Sequence, residues 1–242
     1  TKMNAGPWRR RVNITAGVGG FGVIADSVIE MATKKFITGD IPSGYQTKMT
    51  YASLNSPYCP DPSALPQSLV ARHNEGCLFW VYIGHGQRQY LDFMKVDYEW
   101  YRIFDQRDVP QLQAKSGSPI AVMLACYTGA FDEEKDCLSE MMLAKPGGPV
   151  AVISGSRVTM PYGNTVLGQA LLKQYFKGEY QTLGTLMQAA KRDSMATEKV
   201  STDRVLIDAV GRAFSPTGKQ LDEERREHVY LYNLIGDPLL RI

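Results

Sequence analysis

Residues 77–86 read CLFWVYIGHG, an unbroken apolar run closed by a glycine, a histidine and a second glycine. A run this short and this uniformly apolar has no wet face, so it marks a strand buried on both sides, as a parallel sheet supplies. Ile120–Ala125 (IAVMLA) and Val150–Ser154 (VAVIS) have the same character. Val12–Ala16 and the alternating Tyr45–Ala52 read as two further strands. Helical apolar spacing occupies Val23–Phe36, Ser68–Asn74, Cys137–Ala144, Thr165–Phe176, Thr182–Lys191 and Leu221–His228. Strand and helix alternate throughout. That order predicts a three-layer α/β/α sandwich around a mainly parallel sheet, in a single domain spanning residues 1–242.

Composition narrows the function. The 27 Lys and Arg residues nearly balance 25 Asp and Glu, giving a net charge of +2. That argues against a basic nucleic-acid stripe or a polybasic membrane anchor. No apolar run approaches the roughly 18–20 residues of a membrane span. With 44% hydrophobic and 21% charged residues, the chain is not disordered either. Cys59, Cys77, Cys126 and Cys137 are too few for a disulfide scaffold, although Cys59 and Cys77 could pair. The chain opens on Thr1 and reads as a processed or trimmed piece.

In open α/β sheets the reacting groups gather at the carboxyl ends of strands. Cys77–Ile83 ends in Gly84-His85-Gly86, and Ile120–Ala125 ends in Cys126. A nucleophilic thiol needs a base or cation nearby, and flanking glycines let backbone approach a ligand closely. The ordinary alternatives are a buried cysteine acting as a small hydrophobe and a histidine in a tight turn. Residues 17–22, GVGGFG, match the dinucleotide-binding G-x-G-x-x-G after a strand. The ribose-binding acid is missing, since the second strand ends in Tyr51 and Ala52, with Ser53 next, and Asp40 falls in a Gly/Pro turn. These glycines therefore read as the rim of a substrate cleft. Zinc and nucleophile-elbow motifs are absent. Asp132–Asp136 reads as a solvated turn able to hold structural calcium, Cys137 as core, and His73 and His228 as surface residues.

The GHG after its apolar strand resembles the histidine motif of the gingipain-type, caspase-like cysteine peptidases of clan CD. Residues 124–131 (LACYTGAF) resemble their cysteine motif, and Leu138–Leu143 with Gly147–Arg157 (GGPVAVISGSR) resemble the next helix and strand. Asn233–Ile242 (NLIGDPLLRI) resembles the closing Gly-Asp-Pro signature. The matches run in family order from about Val12 to the end. The resemblance implies a caspase-like fold and a cysteine endopeptidase acting on polypeptides. Cys126 would form a thioester, His85 would serve as acid/base, and the N–H groups of Gly86 and Cys126 would form the oxyanion hole. It implies no required cofactor, secretion or display at the cell surface, and partners among other domains of a longer precursor. Candidate substrate contacts are Gly22 and Asp26 near the first helix, and Ser156, Arg157 and Tyr162 after the strand Val150–Ser154. The family's third acidic member falls where this chain has Gly17-Val18-Gly19. Its carboxylate for a basic P1 side chain falls in Gly19-Gly20-Phe21-Gly22, with Asp26 about one turn beyond. Cleavage is therefore expected not to be confined to bonds after Arg or Lys. The alternatives are a non-catalytic α/β binding or scaffold module and a dinucleotide-binding oxidoreductase using GVGGFG.

Overall fold

The structure, a computed structural model, describes residues 6–19, 39–176, 178, 180–198, 200–215 and 220–242. Its main sheet contains β1 (Arg11–Ala16), β2 (Gln46–Tyr51), β3 (Phe79–Ile83), β6 (Ile120–Leu124), β7 (Ala151–Gly155) and β8 (Tyr232–Gly236), ordered β2-β1-β3-β6-β7-β8. All neighbours are parallel except β8, which runs antiparallel to β7. A separate antiparallel hairpin joins β4 (Phe93–Val96) to β5 (Glu99–Arg102). The helices are α1 (Leu65–Asn74), α2 (Leu138–Ala144), α3 (Pro161–Phe176), α4 (Leu183–Met195), α5 (Thr202–Phe214) and α6 (Leu221–Leu231).

Period-two alternation divides each central strand between two cores. Phe79, Val81, Ile83, Ile120, Val122, Leu124 and Ile153 face α3 and α4, meeting Leu167, Leu171, Leu183 and Leu186. Trp80, Tyr82, Ala121, Met123 and Val152 face the other way, onto Leu65 and Leu69 of α1 and Leu138 and Met142 of α2. Burial on both faces explains the uninterrupted apolar runs, each large side chain contributing about 1.5–3 kcal/mol. The three-layer α/β/α sandwich with a mainly parallel sheet is as expected.

Boundaries differ from the sequence reading, and the β4–β5 hairpin, strand β8 and helix α5 were not among the expected elements. Helix α1 starts at Leu65, earlier than Ser68, with Pro66 in its first turn, where its missing N–H costs nothing. The hairpin strands are only four residues each and mixed in polarity, so they give little alternation to read. Helix α5 is an addition to the expected set; it is capped by the Ser201 side chain and buries little beyond Arg204, Ile207 and Gly211. The expected helix Val23–Phe36 lies outside the described residues.

Two histidines expected at the surface are buried. His73 is 1% exposed and meets Trp80 edge-on at 5.5 Å, its Nδ1 lying 3.1 Å from Asn74 Oδ1. His228 is 2% exposed; its Nε2 lies 3.0 Å from the Met160 N–H that donates to it, and its Nδ1 is 2.6 Å from the Glu224 carbonyl. A ring that accepts at Nε2 and donates at Nδ1 is neutral. Both surprises have one cause: each residue closes the last turn of a helix whose polar neighbours hide which way the ring points. Burial pushes both imidazoles below their ordinary 6.5. The unfolded chain thus binds these protons more readily. Stability should change little between about pH 7.5 and 8 and fall as pH drops through 6.5 towards 5, a tenfold difference in proton affinity between the two states being worth about 1.4 kcal/mol. Glu75, held below its usual 4.5 by the bond from Lys48, enters only at lower pH. Denaturant midpoints across pH 8 to 5 check this; a profile flat down to pH 5.5 would contradict it.

Candidate active site

Strand register fixes where the candidate residues leave the sheet. Ile83 pairs with Leu124, so His85 and Cys126, each two residues further on, emerge at the same level of adjacent strands. Ala16 pairs with Ile83, so the loop beginning at Gly17 emerges there too. Gly17 N–H bonds the Ile83 carbonyl at 2.8 Å. Gly19, at φ 64°, adopts the left-handed conformation that glycine tolerates, and its carbonyl lies 2.8 Å from His85 Nε2. Below them Tyr82 donates its hydroxyl to the His85 carbonyl at 2.7 Å. A Cβ at Gly17 would stand 2.6 Å from that hydroxyl.

Gly86 brings the two loops together. A Cβ there would lie 2.8 Å from the Cys126 carbonyl oxygen, the Ala125 Cβ and the Thr128 Cγ2. The histidine turn therefore packs directly on the cysteine loop, a fit open to glycine alone. Cys126 is half-buried, and its Sγ accepts the Thr159 N–H at 3.2 Å. Asn164 Nδ2 donates to Thr159 Oγ1 at 3.1 Å, and Tyr232 donates to Asn164 Oδ1 at 2.7 Å. The residue after Cys126 carries strain. Tyr127 sits at φ 56°, a conformation costing a bulky side chain on the order of 1–3 kcal/mol. It is held by Tyr127 N–H to the Arg157 carbonyl and by Ala130 N–H to the Tyr127 carbonyl, both at 3.1 Å.

His85, Gly86 and Cys126 open into a cleft of about 740 Å³ walled by Tyr90, Phe93, Trp100, Tyr127 and Val158, a size typical of a ligand site. The hairpin supplies Phe93 and Trp100, the latter 65% exposed. Asp92 also lines the cleft. Burial pushes its carboxyl up; the Phe93 amide, the His85 charge and the Val18 amide act the other way. Burial, with Asp92 and Cys126 nearby, holds the Tyr82 phenol well above its usual range.

Other expected site residues are placed elsewhere. Ser156 is tied by its N–H and its hydroxyl to the Leu231 carbonyl, at 2.9 and 3.0 Å. The exposed Arg157 guanidinium pairs with Asp132, Nη1 to Oδ1 at 3.0 Å, clamping the cysteine loop to the turn after β7. Tyr162 is 5% exposed, donating to Asp208 Oδ1 at 2.8 Å and accepting from Arg225 Nη1 at 2.6 Å, within a small core of α3, α5 and α6. It lines no part of the cleft. Gly22 and Asp26 lie outside the described residues. Cys59 and Cys77 are unpaired thiols. Residues 131–136 are exposed, and among the described residues there is no group of three His, Cys, Asp or Glu that could hold a metal ion. The sequence reading missed Thr159, Asn164, Asp92 and the aromatic wall. Its one available signal was the DY turn between FMKV and EWYR, where Asp97 takes φ 54°.

The family model described as Peptidase family C25 matches residues 1–242. Among solved structures, the complex of Porphyromonas gingivalis RgpB pro- and mature domains aligns at TM-score 0.63 and 14% identity, covering 97% of this chain and 49% of that one. The Arg-specific cysteine proteinase gingipain R (RGPB) aligns at TM-score 0.59 and 18% identity, covering 98% and 48%. A structure described only as a protease gives 0.62 and 17%, covering 99% and 49%. This chain thus spans about half the length of the structures it matches, and at these identities the likeness concerns the fold. No curated protein matches.

The four thiols should differ sharply in reactivity. Burial raises the Cys77 thiol to about 12 and Cys137 to about 11, and raises Cys59 as well. Cys126 alone among them lines the cleft. Low-dose iodoacetamide on the folded protein should label Cys126 at least about tenfold faster than the other three, since the thiolate is the reactive form. Peptide mapping of the label checks this; equal labelling, or none at Cys126, would contradict it.

Proposed function

The chain belongs to peptidase family C25, and from that premise we propose that it is the catalytic domain of a cysteine endopeptidase. Cys126 Sγ attacks the scissile carbonyl carbon, and its proton passes to His85. The carbonyl oxygen, now anionic, is received by the N–H groups of Gly86 and Cys126, which act without reorganising because Gly86 is wedged against the cysteine loop. The C–N bond then breaks, His85 returns the proton to the leaving amine, and a thioester remains on Cys126. Water attacks the thioester, His85 taking its proton, and the acid product and the thiol are released. No residue in this sequence of steps requires a metal or cofactor.

One observation carries the reading: β3 and β6 deliver a histidine and a half-buried cysteine to the same level of one cleft. The aromatic walls suit an extended polypeptide, which supports peptide as the substrate class. Domains of a longer precursor are proposed as partners, in line with the complex of pro- and mature domains among the fold neighbours. The same reading places the enzyme outside the cell or on its surface; no described helix is long and apolar enough to cross a membrane.

A peptide-library digest by the wild type and by Cys126→Ala, read by mass spectrometry, tests the proposal. The variant should lose at least about 10³-fold in cleavage rate while its thermal midpoint moves by only a few degrees. Wild-type cleavage should not be confined to bonds after Arg or Lys. No cleavage by the wild type would leave a binding module, cleavage by the variant at the parent rate would remove Cys126 as the nucleophile, and a profile of Arg or Lys alone would show an acidic P1 pocket.

A further inference from the structure

We propose that His228 is a positioning residue for Cys126: a neutral imidazole that holds the peptide unit against which the sulfur rests, and releases it when protonated. The inference rests on the peptidase reading above. The unit is Thr159–Met160, in the turn between β7 and α3. Its carbonyl accepts the Cys126 S–H at 3.4 Å, and its N–H donates to His228 Nε2 at 3.0 Å. A peptide is flat and stiff, so one plane touches the nucleophile at its oxygen and the histidine at its nitrogen. The preceding amide, Thr159 N–H, donates to the same sulfur at 3.2 Å. Turning the plane away from His228 therefore shifts both contacts to Cys126.

The ring has little room to adjust. It stacks on Tyr232 with centroids 6.0 Å apart, and a Cβ on Gly163, in the first turn of α3, would come within 2.5 Å of it. Nδ1 donates to the Glu224 carbonyl at 2.6 Å, which leaves Nε2 as the acceptor. Protonation turns that acceptor into a donor facing the Met160 N–H. Two donors cannot share the contact, so a buried N–H loses its partner and the plane has to move. A shift of about 1 Å near reacting atoms can cost on the order of 10²-fold in rate.

The titratable and charged groups facing the ring come from several elements. Helix α6 brings Glu224 and Glu227, whose charges favour the imidazolium, but burial outweighs them and keeps proton affinity below the ordinary value. The Glu224 carboxylate is engaged, Oε1 accepting the Gly163 N–H at 2.8 Å and Oε2 the Ser215 hydroxyl at 3.0 Å. Strand β8 brings Tyr232, whose hydroxyl donates to Asn164 Oδ1. Helix α3 brings Tyr162, tied to Asp208 of α5 and Arg225 of α6, with Arg204 also paired to Asp208. Across the turn stands Cys126 itself. The ring is thus neutral at pH 7 to 8, with the plane in place, and it charges only on the acid side.

The test compares His228→Leu and His228→Gln with the wild type, in the whole chain, by peptide cleavage and by Cys126 alkylation from pH 8 to 5. Rates are taken per folded molecule, counted by circular dichroism at each pH. Leucine removes the acceptor. At pH 8 it should lower kcat about tenfold or more, with KM changed less than about twofold, and slow Cys126 alkylation. Glutamine offers an amide oxygen to the Met160 N–H without titrating, so it should recover most of both losses. The ratio of wild-type to glutamine-variant rates cancels the protons of His85 and Cys126, which both proteins share. That ratio should be highest at pH 8 and fall at least about threefold by pH 5. A ratio constant from pH 8 to 5 would overturn the proposal. So would wild-type kcat and alkylation in His228→Leu with only its thermal midpoint lowered, which would make His228 merely structural. If the leucine variant does not fold, the glutamine ratio decides alone. Alkylation needs no turnover, so it judges His228 even if the wild type cleaves no peptide, a result that counts against the peptidase reading itself.

Discussion

Parallel register at the carboxyl edge of the sheet is the constraint on which the site depends. Ala16, Ile83 and Leu124 lie side by side on three adjacent strands, so three loops begin from one line. Slipping β3 by one residue against β6 would turn Phe79, Val81 and Ile83 out of one core and into the other. It would also carry His85 away from Cys126. Packing of both faces therefore enforces the geometry of the cleft. The two cores hold register because Trp80 and Tyr82 on one side cannot exchange with Phe79, Val81 and Ile83 on the other without voids and clashes.

A second layer converts that register into a fixed site. Small residues let the loops touch: Gly17 clears the Tyr82 hydroxyl, and Gly86 admits the cysteine loop. Polar side chains then lock the far side, through Tyr232, Asn164 and Thr159 to the sulfur. Tyr232 comes from the one antiparallel strand, so the C-terminal segment contributes to the cysteine although it lies far from it in sequence. The positive φ of Tyr127 fits this setting. The strained residue beside Cys126 persists because hydrogen bonds on both sides over-determine it.

Much of this was legible in the sequence, and the reason is physical. Strands buried on both faces must be apolar without interruption, so β3, β6 and β7 announced themselves, and the residues at their ends followed. His85, Gly86 and Cys126 could be named for that reason. What stayed hidden depended on contacts between segments remote in sequence. Tyr162 carries a hydroxyl on a helix, and only the structure reveals that Asp208 and Arg225 satisfy it in a buried cluster. The short hairpin, with Phe93, Trp100 and the neighbouring Asp92, has no periodicity strong enough to separate a cleft wall from a surface loop. His73 and His228 went unread because a polar helical stretch does not reveal which of its members turns inward.

The central claim is covalent chemistry at Cys126. Its most direct test is rapid acid quenching of the enzyme mixed with a cleaved peptide, followed by intact and peptide-level mass spectrometry. The account predicts an acyl adduct equal to the N-terminal product less water, located on Cys126 and released by hydroxylamine as a thioester should be. Cleavage that proceeds with Cys126 unmodified at every quench time, or an adduct on another residue, would contradict it.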